Sequence, residues 1–221
     1  MNINIQKETL EQPLSQIIGV VEKRQTLPIL GNVYLELDQG QLTLIGSDLE
    51  TEITTRVHNI NGENGKTTVS ARKLFDICRS LPKESQVNLI MEDNSKMVLK
   101  AGKSRFTLQT LSAIDYPRLK ETQWKHEFTL PQKQVNSLLT KTSFSMAQQD
   151  VRYFLNGLLI EIKNDQILSV ATDGHRLAKT QITTQSLGID HVQSIVPRKA
   201  VIEISKFLDC LLYTSPSPRD S

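Results

Sequence analysis

The chain has few of the residues that mark a secreted or membrane-spanning protein. Its 221 residues include only two cysteines, Cys78 and Cys210, which cannot build a disulfide framework. A reducing cytoplasm fits this usage. The N-terminus lacks a basic region followed by an apolar core, and no apolar run approaches the roughly 18 residues of a membrane helix. We therefore expect a cytoplasmic protein without membrane contact.

Residue patterns for metal, nucleotide or hydrolytic chemistry are also missing. Four histidines and two cysteines show no metal-ligand spacing. The sequence Gly102-Lys103-Ser104 imitates the end of a phosphate loop, but Met97 stands where its earlier glycine belongs. The net charge of +2 is nearly neutral, so nucleic-acid binding requires local basic clusters and has modest, salt-sensitive affinity. We expect no metal and no cofactor.

The most informative feature that is present is a repeat at a fixed offset. Residues 30–37 (LGNVYLEL) return as residues 155–162 (LNGLLIEI), an offset of 125 (155 − 30). The same offset relates Ser47-Asp48 to Thr172-Asp173. A constant offset over this length indicates two copies of one structural unit. A surface feature present in both copies is a candidate for contact with a repetitive ligand.

The offset also aligns the beginnings of the two units. Residues 3–5 align with residues 128–130, and both segments carry the alternating apolar pattern of a short half-buried strand. Residues 10–14 align with residues 135–139, which have the i, i+4 apolar spacing of a helix face. Each unit is therefore predicted to begin with a strand and a helix.

A second helix is predicted in each unit, where the offset becomes 127 (201 − 74). Its apolar face is Leu74, Ile77 and Leu81 in one copy and Val201, Ile204 and Leu208 in the other. The opposite face is basic, acidic, basic: Arg72, Asp76 and Arg79, then Lys199, Glu203 and Lys206. This face is either an ordinary solvated surface with internal ion pairs or a cationic surface for a regular polyanion. Basic pairs stand at the helix starts, where the dipole disfavours cations: Arg72-Lys73 and Arg198-Lys199.

Three alternating segments follow the second helix of the first unit and predict an antiparallel meander: 87–91, 97–101 and 105–111. The predicted order is β-α-β-β-α-β-β-β, an α+β class with helices covering one side of antiparallel sheet. The second copy lacks these three segments, so we expect marginal stability there. The predicted domains are 1–125 and an incomplete 126–209. Residues 210–221 are expected to be a disordered terminus or foreign to the protein.

One segment carries a carboxylate, an imidazole and a guanidinium within four residues, Thr172-Asp173-Gly174-His175-Arg176. Asp-Gly is first a turn signal. A binding surface and a catalytic site using Asp173 and His175 are the alternatives. The equivalent segment of the first copy has no histidine, so the second unit has a local surface of its own.

Two polar loops, 22–25 and 147–150, follow the first helix of each copy. They are either plain polar turns or contacts to phosphate and sugar. Tyr153 and Phe154 beside the second loop are either packing aromatics or a base-stacking pair.

Six motifs together resemble the bacterial DNA polymerase III beta subunit family, the sliding clamps, from Met1 to about Asp209. They are residues 26–32 (TLPILGN), 46–50 (GSDLE), 71–79 (ARKLFDICR), 144–147 (FSMA), 149–153 (QDVRY) and 171–178 (ATDGHRLA). The resemblance implies a homodimeric ring around double-stranded DNA, associated with the nucleoid, with helices inside and sheets outside. It implies no catalysis, and it covers the first domain and most of the second of a three-domain family.

The resemblance also implies three sets of site residues. Those facing or touching DNA are Arg24, Arg72, Lys73, Arg79, Gln149, Tyr153, Phe154, Arg198 and Lys199. Those forming half of a groove for peptides of the replicative polymerase and clamp loader are Arg152, Leu155, Thr172, Gly174, His175, Arg176 and Leu177. Those on the first domain's side of the ring interface are Lys73, Arg105, Phe106 and Leu108. The third domain supplies the other half of both the groove and the interface, so we expect this chain alone to be monomeric.

The leading interpretation is a processivity clamp, present as an N-terminal fragment. A monomeric nucleic-acid-binding or scaffold module without ring closure is the alternative. An enzyme using Asp173 and His175 is the third possibility.

Overall fold

The computed structural model describes residues 1–21, 27–93, 95–119, 126–185 and 187–212, with the side chains of 209–212 excepted. Arg24 and most of the predicted tail lie outside these ranges. The chain divides into two compact units, Met1–Glu121 (unit 1) and Thr122–Ser221 (unit 2).

Unit 1 contains nine antiparallel strands and two α-helices in its described part. The strands are β1 (Asn2–Gln6), β2 (Asn32–Asp38), β3 (Gln41–Ser47), β4 (Glu52–Val57), β5 (Asn61–Glu63), β6 (Gly65–Ser70), β7 (Gln86–Asp93), β8 (Lys96–Ala101) and β9 (Ser104–Leu111). The helices are α1 (Lys7–Ile17) and α2 (Ala71–Ser80). The strand order is β4-β3-β2-β6-β9-β8-β7-β1-β5. Only two residue pairs, Thr68–Leu111 and Val69–Thr110, join β6 to β9, so two half-sheets meet at this point.

Unit 2 contains four antiparallel strands and two α-helices in its described part. The strands are β10 (Gly157–Asn164), β11 (Gln166–Thr172), β12 (Leu177–Thr183) and β13 (Ile189–Pro197), in the order β12-β11-β10-β13. The helices are α3 (Gln132–Thr140) and α4 (Arg198–Leu212). Helix α4 runs past the predicted domain boundary at Asp209.

The sequence repeat is a structural repeat. A short 3-10 helix at Pro28–Gly31 precedes β2, and another at Tyr153–Asn156 precedes β10, with the offset of 125 preserved. Strand register follows the same offset, because Leu37 pairs with Leu42 and Ile162 pairs with Ile167. The predicted α+β class with helices against antiparallel sheet is confirmed.

Successive side chains of a strand point to opposite faces of the sheet, and burial alternates regularly along β11. In unit 1, Val33, Leu35 and Leu37 face the helices and pack with Leu74 of α2 in one continuous core. In unit 2 the core is divided into two smaller clusters, one around Leu158 and one around Ile162. Because less apolar surface is buried in these clusters, the lower stability expected of unit 2 stays a prediction for unfolding experiments.

Two predictions about the start of the units have different outcomes. The strand predicted at residues 3–5 is β1, which pairs with β7 over five residues. The strand predicted at residues 128–130 is wrong, because the chain there is irregular and Phe128 is exposed. A strand needs a partner for its backbone groups. The described part of unit 2 has no counterpart of β7.

The predicted strand order was incomplete. Strands β4, β5 and β6 lie between β3 and α2, where the sequence order placed none. Strands β4 and β6 are threonine-rich, so their alternation is weak on a hydropathy scale although threonine favours strands.

Candidate functional site

The segment Thr172–Arg176 forms a tight turn between β11 and β12. The Asp173 carboxylate accepts hydrogen bonds from the backbone amides of His175 (3.0 Å) and Arg176 (3.0 Å). The Thr172 hydroxyl donates to the Arg176 carbonyl (2.8 Å) and accepts from the Gly174 amide (3.1 Å). The turn interpretation is therefore confirmed.

Unit 1 has the same turn at the equivalent place. The Asp48 carboxylate accepts from the amides of Glu50 (3.0 Å) and Thr51 (2.7 Å), and the Ser47 hydroxyl accepts from the Leu49 amide. Leu49 has φ of 77° and its counterpart Gly174 has φ of 89°. The turn belongs to the scaffold, so the local surface of unit 2 comes from the side chains it displays.

The Asp173 carboxylate is unsuited to act as a general base. The His175 and Arg176 backbone amides, together with the Arg176 guanidinium at 2.9 Å, hold the pKa of Asp173 below its usual range. Asp173 accepts its hydrogen bond from the backbone amide of His175, not from the imidazole. The carboxylate is thus ionised and its oxygens already accept hydrogen bonds, which disfavours catalysis by this pair.

Arg152 is held by Asp150 through two side-chain contacts. Its Nε and Nη2 atoms donate to the Asp150 carboxylate at 3.0 and 2.9 Å, and its backbone amide donates to the same group at 2.8 Å. These hydrogen bonds lower the pKa of Asp150 to about 2. The Asp150 backbone amide donates to the side-chain oxygen of Asn156, and the Asn156 side-chain amide donates to the Asp150 carbonyl. The guanidinium covers Gly174, where an added Cβ would lie 3.2 Å from Nη2.

A polar cavity of about 440 Å³ lies beside the turn. Its lining residues are Phe144, Met146, Ala147, Gln148, Gln149, Asp150, Asp173, His175, Arg176 and Arg198. The Arg176 guanidinium stands 5.9 Å from the centre of the Phe144 ring. The cavity thus brings His175 and Arg176 of the predicted groove together with Gln149 and Arg198 of the predicted DNA set.

The remaining groove residues differ in their exposure. Thr172 and Leu177 face each other across β11 and β12, and Leu177 is 64% exposed. Within the 3-10 helix Tyr153–Asn156, Leu155 is buried, while Tyr153 and Phe154 are exposed with their rings 6.0 Å apart. The structure therefore provides an exposed apolar surface beside the polar cavity.

Sequence reasoning missed Asp150 and Phe144 as neighbours of the predicted site. Asp150 precedes Arg152 by two residues, the spacing of a side chain that accepts from a backbone amide two positions on. That spacing was available in the sequence. Phe144 meets Arg176 only through the fold, so no local signal indicated the contact.

The basic start of α2 is exposed. Arg72, Lys73 and Arg79 all lie at the surface, and the Arg79 guanidinium stands 5.8 Å from the centre of the Phe75 ring. Within the residues that the structure describes, no ion pair joins Asp76 to Arg72 or Arg79. The positive charge of this face of α2 is therefore not neutralised by ion pairs with Asp76.

Helix α4 departs from the predicted pattern. Glu203, placed on the solvent face, is only 6% exposed, while Ile204, placed on the apolar face, is 39% exposed. In unit 1 the counterpart Ile77 packs on the core that includes β7 and β8. The described part of unit 2 has no such strands, so Ile204 has no core to cover. Lys206 pairs with Glu203 at 2.7 Å.

The basic pair at the start of α4 is less exposed than that of α2. Arg198 and Lys199 are both half-buried, and Arg198 donates to the Met146 carbonyl at 3.2 Å. The two units therefore display different amounts of positive charge at the equivalent place.

The predicted ring-interface residues differ in their exposure. Leu108 is 4% exposed and belongs to the core of unit 1, which corrects its placement at an interface. The alternation of β9 points its side chain toward the helices. Phe106 packs partly on the same core, and Arg105 pairs with Glu92 at 2.6 Å. Lys73 and Arg105 remain at the surface.

The residues that the structure describes contain neither a metal-binding cluster nor a membrane-spanning helix. No group of three or more histidine, cysteine, aspartate or glutamate side chains there is arranged to hold a metal ion. None of the helices described is long and apolar enough to cross a membrane.

Comparison with known proteins gives a consistent result for both units. Residues 1–120 match the DNA polymerase III beta subunit, N-terminal domain, and residues 129–211 match its central domain. Beta sliding clamps of Pseudomonas aeruginosa and Escherichia coli K12 are each 47% identical, over 94% and 95% of this chain. The chain spans 57% of the length of these relatives.

Solved structures agree with the sequence relatives. The DNA polymerase III subunit beta of Pseudomonas aeruginosa superposes with a TM-score of 0.90 and 47% identity, covering 94% of this chain and 57% of that one. Caulobacter crescentus pol III beta gives 0.87 and 32%, covering 95% and 58%. The fold is therefore that of tandem DNA-clamp domains. The chain belongs to the DNA polymerase III beta subunit family.

Proposed function

We propose that this chain is part of a DNA replication processivity factor, a sliding clamp that encircles duplex DNA and tethers the replicative polymerase. One observation carries the proposal: a duplicated clamp unit whose second helix begins with a basic pair in both copies, in a member of this family. The chain spans 57% of the length of its relatives. The ring of the proposal is a head-to-tail homodimer of the longer family form. Its site of action is the cytoplasmic nucleoid.

The DNA-facing surface of the proposal is the start of α2 with the equivalent start of α4. Arg72, Lys73 and Arg79 supply exposed cations, and Arg198 and Lys199 supply half-buried ones. Phosphate contacts by such side chains carry no base information, which suits a protein that slides. Gln149, Tyr153 and Phe154 add exposed polar and aromatic contacts, and Arg24 completes the proposed set.

Salt dependence of duplex binding tests this surface. We expect the chain to bind a fluorescein-labelled duplex weakly, with log K falling linearly against log salt at a slope of about −3 to −5, because each neutralised phosphate contributes about −0.9. The measurement is fluorescence anisotropy from low to physiological salt. Affinity independent of salt would contradict the proposal.

The partner surface of the proposal is the exposed side of unit 2 around Leu177, His175 and Arg152. An apolar side chain, a turn and a fixed guanidinium side by side suit a short peptide from a polymerase or clamp loader. His175→Ala is expected to weaken binding of such a peptide by about three- to tenfold, the change in Kd that loss of a single side-chain contact gives. His126→Ala, also at an exposed histidine, is the matched control. A hydrolase activity lost with His175 would overturn the assignment.

We also propose that the chain is not an enzyme. Asp173 is held ionised by backbone amides, and the clamp function needs no bond making. A monomeric nucleic-acid-binding or scaffold module remains the second candidate, favoured by the burial of Leu108 and the pairing of Arg105 with Glu92.

A further inference from the structure

The segment after β9 folds back over the face of unit 1's sheet that points away from the helices. Tyr116 of this segment is 4% exposed and its ring lies 5.7 Å from that of Tyr34. Its hydroxyl lies within donor range of the Ile45 and Asn32 carbonyls, at 3.3 and 3.4 Å. Burial raises the pKa of Tyr116 to about 12, so the hydroxyl keeps its proton. The ring therefore fills a hollow in the sheet as a ligand would.

A second anchor holds the same segment two residues later. Arg118 Nε contacts the Glu52 carboxylate at 3.3 Å, and its guanidinium stands 5.8 Å from the centre of the Tyr34 ring. The backbone amide of Leu119 donates to the same carboxylate at 3.1 Å. An aromatic ring in a hollow and a cation on a carboxylate are the two recognition elements of this contact.

The positions beneath the segment have counterparts in unit 2. Those in unit 1 are Ile29, Tyr34, Ile45 and Glu52. Those 125 residues later are Phe154, Leu159, Val170 and Leu177. The register agrees, since Tyr34 pairs with Ile45 and Leu159 pairs with Val170. Tyr34 and Ile45 are buried, whereas their counterparts Leu159 and Val170 are only partly buried. Ile29 and Glu52 are partly buried, whereas their counterparts Phe154 and Leu177 are 51% and 64% exposed.

We propose that this face of unit 1 is a second peptide-binding surface, held closed by the chain's own residues 112–119 (SAIDYPRL). Its ligand is a short peptide that carries a tyrosine and, two residues later, a cation. The proposal stands on contacts within unit 1, so it does not depend on the groove proposed for unit 2. It also accounts for why equivalent faces of two similar units differ in exposure.

Covalent attachment explains why the surface stays closed. A segment tethered by a short connection has an effective concentration of the order of millimolar. Free peptide at micromolar concentration cannot displace it. Loosening the segment by mutation removes this competition and opens the surface.

The test uses a synthetic fluorescein-labelled peptide of residues 112–119 with the full chain, by fluorescence anisotropy. Tyr116→Ala removes the ring from the hollow and is expected to bind the peptide at least tenfold more tightly than the unmutated chain. The unmutated chain is the baseline, so peptide bound elsewhere is subtracted. Tyr116→Phe keeps the ring in place and is expected to stay near that baseline. A peptide with alanine in place of tyrosine is expected not to bind.

Arg118→Gln provides a second variant that leaves the core intact, because Arg118 is at the surface. Loss of its contact with Glu52 is expected to raise peptide binding by a smaller factor, about threefold. If Tyr116→Ala fails to fold, peptide binding by Arg118→Gln tests the proposed surface instead. Peptide binding no tighter than the baseline in every folded variant would overturn the proposal. Binding that increases equally with the alanine-substituted peptide would overturn it too.

Discussion

Single residues account for the local geometry of the unit 2 surface. Gly174 adopts φ of 89° in the turn after β11, and the Arg152 guanidinium lies against it. Its counterpart Leu49 adopts φ of 77°, so the turn tolerates a side chain in this backbone conformation at some cost. The glycine at position 174 is required more by the adjacent Arg152 than by the turn.

Gly174→Ala separates these two effects. We expect it to destabilise unit 2 by about 1–2 kcal/mol, from backbone strain and crowding of Arg152. Gly102→Ala, at φ of 55° with nothing near the added Cβ, is expected to cost less. The measurement is urea unfolding. In an Arg152→Ala background the cost of Gly174→Ala should fall, and an unchanged cost would contradict the role of Arg152.

Tyr116 makes the stability of unit 1 depend on alkaline pH. Its pKa is raised from 10.0 to about 12 in the folded chain. A raised pKa contributes stability that is complete below pH 10 and is lost as the pH rises toward 12, because the unfolded tyrosine ionises first. Tyr116→Phe should flatten this loss, which amounts to about 2–3 kcal/mol at most. Urea unfolding at pH 9 to 12 checks it, and equal losses in both proteins would contradict it.

Whole elements could be predicted where a strong pattern coincided with complete packing. Helix α2 and strands β7 to β9 lie where alternation and helical spacing placed them, because unit 1 supplies partners for each. The predicted strand at Phe128 and the predicted core-facing position of Ile204 were wrong, because packing partners are missing there. Their patterns were inherited from the repeat, and the described part of unit 2 lacks the strands that would cover them.

The unequal cores predict two unfolding steps. The continuous core of unit 1 buries more apolar side chains than the two small clusters of unit 2. We therefore expect unit 2 to unfold at a lower temperature than unit 1. Differential scanning calorimetry should resolve two transitions, and Leu158→Ala should lower only the first. A single cooperative transition would count against independent units.

At the scale of the molecule, the site could be predicted only in part. The turn at Thr172–Arg176 and the basic starts of the helices were evident from residue types and spacing. The cavity beside Arg176 was not, because it joins residues from three separate segments, 144–150, 173–176 and Arg198. The placement of Leu108 in the core was also not evident, since the direction of a strand's side chains depends on which face the helices cover.

The surface of unit 1 predicts that the 221-residue chain is monomeric when measured alone. Leu108 is buried and Arg105 is paired, so the predicted interface residues expose little apolar area. A stable interface buries about 1,200–2,000 Å² in total. Light scattering after gel filtration should give 25.0 kDa. A stable closed dimer with twice that mass would contradict this expectation.

The most direct test of the central claim is removal of the basic pair at the start of α2. Arg72→Ala/Lys73→Ala should weaken duplex binding and reduce the magnitude of the salt slope by about 2, one for each lost phosphate contact. Lys100→Ala/Lys103→Ala, at exposed lysines in and just after β8, removes the same charge elsewhere in unit 1 and should leave the slope unchanged. Equal loss of affinity and slope in both variants would show that DNA binding follows net charge alone, and would contradict the assigned surface.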